Sequence, residues 1–356
     1  MNMIRLVWIV CMVTYMLSFA AVAEASQYKL HILDVPQGRA YSAAYKINSN
    51  GVVVGLSAMD VQGGYQPEVY YWDAIGAHQT DIDPGAYRTA SINDAGIIVG
   101  GNYVLSSGTL STRPTVGSTL PFLGNVLRDV NDTGIIVGGS SYDNQGHLRA
   151  AYWDSLGAHA IGTDLTSWAT AINNAGQIVG LRYASQSSPT GFIWDSGQMT
   201  DIGILDGYIS SSASDINILG QVVGSSSSSE SFGSGYFTKA YLWQNGHTID
   251  LLGWNDKGSS ASGINDSGQI VGSSWTSGGE YSAFVWDAGS VTTLQGLGGD
   301  TRAYGINNSG WIVGQSRSTD NKTYAVMWEP VPEPSSIFVL LCGLGGLRAL
   351  VKRRAR

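Results

Sequence analysis

One nine-residue motif, (Ile/Val)-Asn-x-x-Gly-x-(Ile/Val)-Val-Gly, recurs seven times. It starts at Ile47, Ile92, Val130, Ile172, Ile216, Ile264 and Ile306. The spacings are 45, 38, 42, 44, 48 and 42 residues. A period of about 43 belongs to propeller blades or helical solenoids. The Gly, Asn and β-branched content of each unit excludes helices. Asn three residues before Gly reads as a tight turn. The Asn side chain bonds the backbone ahead of it, and Gly takes a positive φ at low cost. The structural turn positions are Asn48, Gly51, Asn93, Gly96, Asn131, Gly134, Asn173, Gly176, Asn217, Gly220, Asn265, Gly268, Asn307 and Gly310. The second Gly, as in Gly100 or Gly272, marks a bulge or a close backbone approach.

A third strand follows 22 to 27 residues after each motif start and carries Trp72, Trp153, Trp194, Trp243, Trp286 or Trp328. Six Trp at one repeat position read as blade core. A fourth stretch follows a short turn, as in Thr200-Asp201-Ile202. Four short strands per unit make a blade. The last unit stops at its third strand. The missing fourth appears at the start of the chain, as Tyr28–Asp34, and His31–Asn48 aligns with Leu294–Asn307. The expected fold is therefore all-β: a seven-bladed β-propeller closed by the N-terminal strand pairing into the last blade. An open β-solenoid or six blades are the alternatives. The second unit departs from the pattern. Arg113-Pro114-Thr115-Val116 stands where its Trp strand is expected, and Thr119–Leu123 where the fourth strand belongs.

The ends carry a different message. Arg5, the apolar stretch Leu6–Ala23 and small residues up to Ala25 form a secretory signal peptide over residues 1–25. An uncleaved membrane anchor is the alternative. The far end, residues 330–356, holds Pro332-Glu333-Pro334, an apolar run from Ile337 to Leu347, and the basic residues Lys352, Arg353, Arg354 and Arg356. The apolar run is expected as a helix, short for a membrane span of about 20 residues. Between the ends lies the repeat body, residues 26–329. From Ser26 to Pro332, 13 basic residues face 25 acidic ones, a net charge of −12. Such a body repels nucleic acid. It contains no Cys, since Cys11 and Cys342 lie in the end segments, so disulfides and thiolate metal sites are excluded from it.

The repeats resemble the HAF-repeat family of bacterial surface proteins. The resemblance covers most of residues 41–329. It is carried by Ala283-Phe284-Val285-Trp286-Asp287, Leu294-Gln295-Gly296-Leu297-Gly298-Gly299 and Gly305–Gly310. The family's name-giving His is absent, with Ser282 in its place. The tail resembles the PEP-CTERM sorting signal, in which Pro332, Glu333 and Pro334 would be the element recognised and cut by an exosortase. These resemblances imply export across the inner membrane, a place at the cell surface or in an extracellular polysaccharide matrix, and membrane contact through the tail before processing.

Chemistry is sparse in the sequence. His78, His159 and His247 follow the Trp strands and share one repeat position, away from His31 and His147. No catalytic and no metal-binding residues are assigned, and no cofactor is expected. The Asn-Asp turns at Asn93-Asp94, Asn131-Asp132 and Asn265-Asp266 offer oxygens to Ca²⁺ but read better as solvated turns. Aromatic residues in connecting segments, Tyr103, Trp168, Tyr208, Trp254 and Trp275, suit saccharide binding. The expected function is that of a non-enzymatic binding or structural protein, with extracellular polysaccharide or a surface protein as the partner. The alternative is a propeller glycan hydrolase or lyase, for which Asp206, Asp256 and Asp300 are the candidate carboxylates.

Overall fold

The computed structural model describes residues 27–34, 39–61, 64–84, 90–116, 125–141, 147–163, 166–183, 188–228, 238–253 and 258–331. Every described element is a strand. The signal-peptide and tail segments lie outside the described residues. Among the described residues, no helix is long and apolar enough to cross a membrane.

Each repeat folds into antiparallel strands that pair in chain order. The fourth repeat is typical, with Thr166–Ile172, Ile178–Tyr183, Thr190–Asp195 and Gln198–Asp201 in one four-stranded sheet. Repeats two to six each form such a sheet, and these sheets are blades. Repeats seven and one share a larger sheet, joined by a single parallel bridge between Tyr41 and Thr323. In that sheet the strand Tyr28–Ile32 pairs with Thr323–Pro330, the third strand of the last repeat. The Leu33 amide donates to the Ala325 carbonyl at 3.0 Å, as the Leu294 amide does to Ala283 in the preceding repeat at 2.9 Å. The N-terminal strand thus occupies a fourth-strand position.

The motif builds one hairpin per repeat. In the last copy the Gly310 amide closes the turn on the Asn307 carbonyl at 3.0 Å, and Gly310 sits at φ 79°. The Asn307 Oδ1 accepts from the Ser309 and Trp311 amides. Each described first strand except that of the second repeat carries a bulge just before the motif, such as the one between Ala303 and Gly305. The second Gly of the motif faces it: a Cβ on Gly314 would collide with the Arg302 carbonyl oxygen. Only Gly allows the bulged strand to lie this close.

The second repeat is shortened rather than displaced. Its strands are Ser91–Ile92, Ile98–Gly100, Tyr103–Ser106 and Thr109–Thr112. Leu105 pairs with Ile98 in the register that Trp153 holds against Ile136 one repeat later. A tight Gly101-Asn102 connection, with Gly101 at φ 54°, brings this strand forward in sequence and hides it from a search at constant spacing. Arg113–Val116 is then the crossover to the third repeat: Trp153 Nε1 donates to the Pro114 carbonyl at 2.8 Å. Trp72 and Trp328 make the same bond, to Asp34 and Gln295. The stretch Thr119–Leu123 lies outside the described residues.

Apolar packing lies between neighbouring sheets. Val137 and Ala150 of the third repeat meet Ile172, Ile178 and Phe192 of the fourth, with Trp194 against them. Trp72, Trp153 and Trp328 are fully buried. Trp243 and Trp286 pack half-buried on the equivalent clusters.

Polar ties follow the same rule of contact with the next repeat. The buried Asn48 Nδ2 donates to the Asn93 carbonyl, and the same bond runs on through Asn131, Asn173, Asn217, Asn265 and Asn307. Asn307 donates to Asn48 at 3.1 Å and completes the cycle. Buried Ser hydroxyls at Ser42, Ser167, Ser211 and Ser259 accept the amide of the preceding repeat's third strand, for example Ala150 to Ser167 at 3.0 Å. A further ladder uses the residue after each motif Asn. The Asp94 amide donates to Asp132 Oδ1 at 2.8 Å, and Asp132 to Asn174 Oδ1 at 2.9 Å. At the next step the fifth repeat offers Ile218, which has no acceptor. Replacing the exposed Ile218 by Asn supplies one. The expected gain is about 0.5–1 kcal/mol in urea unfolding; a loss of stability would show that the ladder is not stabilising.

Candidate functional site

Antiparallel alternation gives each sheet two distinct ends. The first-to-second and third-to-fourth turns gather at one, the turn end. The second-to-third connections and the crossovers gather at the other, the loop end.

Near the turn end, charged side chains from non-adjacent repeats meet. Lys46 Nζ lies 3.7 Å from Asp129 Oδ1 and 3.6 Å from Asp215 Oδ1. These residues come from repeats one, three and five, so their first strands line a common axis. All three stand one residue before the motif start. The corresponding residues elsewhere, Ser91, Ala171, Gly263 and Gly305, are small. The sequence reading missed this group; its visible signal is opposite charge at one repeat position otherwise occupied by small residues. Asp129 also accepts from Ser91 Oγ at 2.6 Å and from the Ile172 amide of the next repeat at 3.1 Å. Asp215 accepts from the Ile264 amide of the next repeat at 3.1 Å. The Asp129 and Asp215 side chains are 5% and 13% exposed, whereas Lys46 keeps 32% of its surface accessible. Burial draws the Lys46 ammonium down, but the two carboxylates outweigh this and raise it above the usual lysine range. Burial pushes the Asp215 carboxyl up, and Lys46 only partly draws it back.

The other polar candidates are bound into the framework. Asp94, Asp132 and Asp266 accept backbone amides of the preceding repeat rather than standing as free turn oxygens. Among the described residues no group of three or more His, Cys, Asp or Glu is arranged to hold a metal. His78 and His159 sit on fourth strands rather than in turns, each stacked on a Tyr and bonded to Asp73 or Asp154. The Ile75 amide and then His78 hold the Asp73 carboxyl below its ordinary value; for Asp154 the His159 bond comes first. His247 is exposed on the fourth strand His247–Asp250. His31 bonds Glu329 at 2.9 Å. Asp300 accepts the Tyr281 amide at 3.1 Å, Asp206 is exposed in the crossover before the fifth repeat, and Asp256 lies outside the described residues. No described contact brings Asp206 and Asp300 together.

Three of the aromatic candidates stand on strands rather than in connecting segments, because the strands run on past the expected turns. Tyr103 opens a third strand and Trp275 closes a second strand. Trp168 lies early in a first strand, and Tyr208 lies in a crossover. Strand direction puts all four at the loop end, each half-buried. Trp168 meets Tyr183 with ring centres 6.2 Å apart, and Trp275 meets Tyr281 at 5.5 Å. Trp254 lies outside the described residues, as do Pro332, Glu333 and Pro334.

The family described as "Protein of unknown function (DUF3466)" matches residues 101–256. No curated protein matches the chain in sequence. Solved structures do resemble it. The β-propeller domain of the Trilobed protease from Pyrococcus furiosus, described as having an open velcro topology, superposes with a TM-score of 0.56 at 13% identity. That match covers 84% of this chain and 95% of that one. A puromycin-hydrolyzing peptidase of Mycobacterium tuberculosis gives a TM-score of 0.53 at 9% identity, over 84% of this chain and 50% of its own length. At these identities the likeness defines a fold: the chain is a β-propeller.

Proposed function

We propose that the chain is an exported, surface-associated β-propeller of seven blades that binds saccharide at its loop end without transforming it. The observation that carries this reading is the division between the two ends. Carboxylates, amides and the motif turns at the turn end are engaged in ties between repeats. The half-buried aromatics Tyr103, Trp168, Tyr208 and Trp275 stand at the loop end. Flat rings beside hydroxyls and amides suit the apolar faces and hydroxyl edges of sugars. The Asn cycle that closes after seven members and the N-terminal strand in a fourth-strand position support the blade count.

Export is supported by the Arg5-led apolar start. The order of Pro332-Glu333-Pro334, apolar run and basic tail supports sorting by an exosortase-type enzyme, as in HAF-repeat proteins of bacterial surfaces. The polysaccharide matrix around the cell is then the ligand's natural source.

The test is a glycan array with the purified protein, repeated with Trp168→Ala and Trp275→Ala. Stacked rings are expected to contribute about 1 kcal/mol each, so each variant binds several-fold more weakly while its melting temperature stays within a few degrees. Binding unaffected by either substitution would remove the loop end as the site. Turnover of a bound glycan would favour the hydrolase or lyase reading.

A further inference from the structure

Several cations in this acidic body find carboxylates. Arg39 pairs with Glu68, Arg182 with Asp201, and Lys46 with Asp129 and Asp215. Arg302 is different. It is half-buried in the first strand of the last repeat, Gly298–Ile306, and among the described residues it has no carboxylate partner. Its Cζ lies 3.6 Å from the centre of the Tyr281 ring, a cation–π contact. Its Nε is buried without an acceptor. Asp300, the nearest acidic residue along the strand, is taken up by the Tyr281 amide.

The surroundings are aromatic and hydroxylic. Trp275 packs on Tyr281. The Tyr304 phenol is hydrogen-bonded with Arg302, and burial pushes it up to about 12, so it keeps its proton. Tyr41 Oη donates to Gln315 Oε1 at 2.8 Å. The guanidinium over the Tyr281 ring is a planar fork of donors, and a planar carboxylate matches that fork better than a single hydroxyl does. The neighbouring ring of Trp275 and the Tyr304 hydroxyl match a pyranose face and its hydroxyl edge.

We infer that the group Trp275, Tyr281, Arg302 and Tyr304 is a subsite for a carboxylate-bearing sugar, with Arg302 taking the carboxylate of a uronate unit. This rests on the saccharide reading above and narrows it to one chemical class. In a body of net charge −12, the Arg302 guanidinium supplies local attraction for an acidic polymer.

The test is calorimetric titration of the purified full-length protein with oligogalacturonate and with its methyl ester, which keeps the ring and removes the charge. The acid form is expected to bind about tenfold more tightly, the worth of one charge-assisted pair. Arg302→Gln should erase that preference while leaving the melting temperature within a few degrees. Arg302→Lys should restore only part of it, since the fork is lost. Equal binding of the two forms by the unaltered protein, or a preference that survives in Arg302→Gln, overturns the inference. If neither form binds while array glycans do, the uronate subsite falls and the saccharide reading stands. If no saccharide binds at all, both fall.

Discussion

Removal of Tyr28–Asp34 is expected to lower the melting temperature by about 10 °C, the effect of losing roughly 5 kcal/mol in a domain of this size. The segment gives the last repeat its fourth strand. Without it Leu33 leaves the cluster of Ile47, Val53, Trp72 and Val313, where the first and last repeats meet. The Ala325 carbonyl loses the Leu33 amide, Trp72 Nε1 loses the Asp34 carbonyl, and Glu329 loses His31. The outer edge of the last sheet is also bared, and bare edges recruit other chains. The shortened protein should therefore melt earlier and also self-associate, as seen by light scattering. Melting unchanged from the intact chain would mean that the ring holds without this strand.

Lys46→Met is expected to destabilise the body by about 2–3 kcal/mol at neutral pH. Breaking a buried ion pair leaves an unpaired charge behind, and the accessible part of Lys46 moderates that loss. Met fills the space but leaves Asp129 and Asp215 facing each other across the axis. The pH dependence separates this from a packing defect. Lys46 is raised above the usual lysine value of about 10.4, so its contribution is complete below that pH and is lost as pH climbs through the folded value. Asp215 is also raised, so the cost of burying its charge is present at neutral pH. That cost fades as pH falls toward the ordinary Asp value of about 3.9. Removing the ammonium raises Asp215 further. The stability gap between Lys46→Met and the unaltered protein should narrow as pH is lowered from neutral into the acid range. Adding Asp215→Asn to Lys46→Met should recover about half of the loss. A gap constant from pH 4 to pH 9 would argue against an electrostatic origin.

Much of the architecture was legible because each copy of the motif carries its own local chemistry. An Asn that bonds ahead and a Gly at positive φ specify a hairpin wherever they occur, and six Trp at one position specify where the third strand lies. Repetition then multiplies a weak local signal. What stayed hidden depends on partners in other repeats. Asn173 reads as a turn residue, yet its Nδ2 reaches the Asn217 carbonyl one repeat on. Leu105 escaped notice because a two-residue connection brings its strand closer to the motif and because it is not a Trp. Lys46, Asp129 and Asp215 look like scattered charges until the ring brings repeats one, three and five together. At the loop end, Tyr103, Trp168, Tyr208 and Trp275 were visible as candidates, although only Tyr208 lies in a connecting segment and the other three stand on strands. Arg302 was not, since a guanidinium without a carboxylate can be recognised only once its neighbours are known.

The central claim is that one end of the ring receives a saccharide while the other holds the ring together. Hydrogen exchange of the purified protein, with and without the best ligand from the glycan array, tests it directly. Slower exchange is expected in 166–168, 181–183, 208–211 and 273–282 at the loop end, with the motif turns such as 94–96 and 174–176 unchanged. Slowing confined to the motif turns, or none at either end with ligand in saturating excess, would contradict the account.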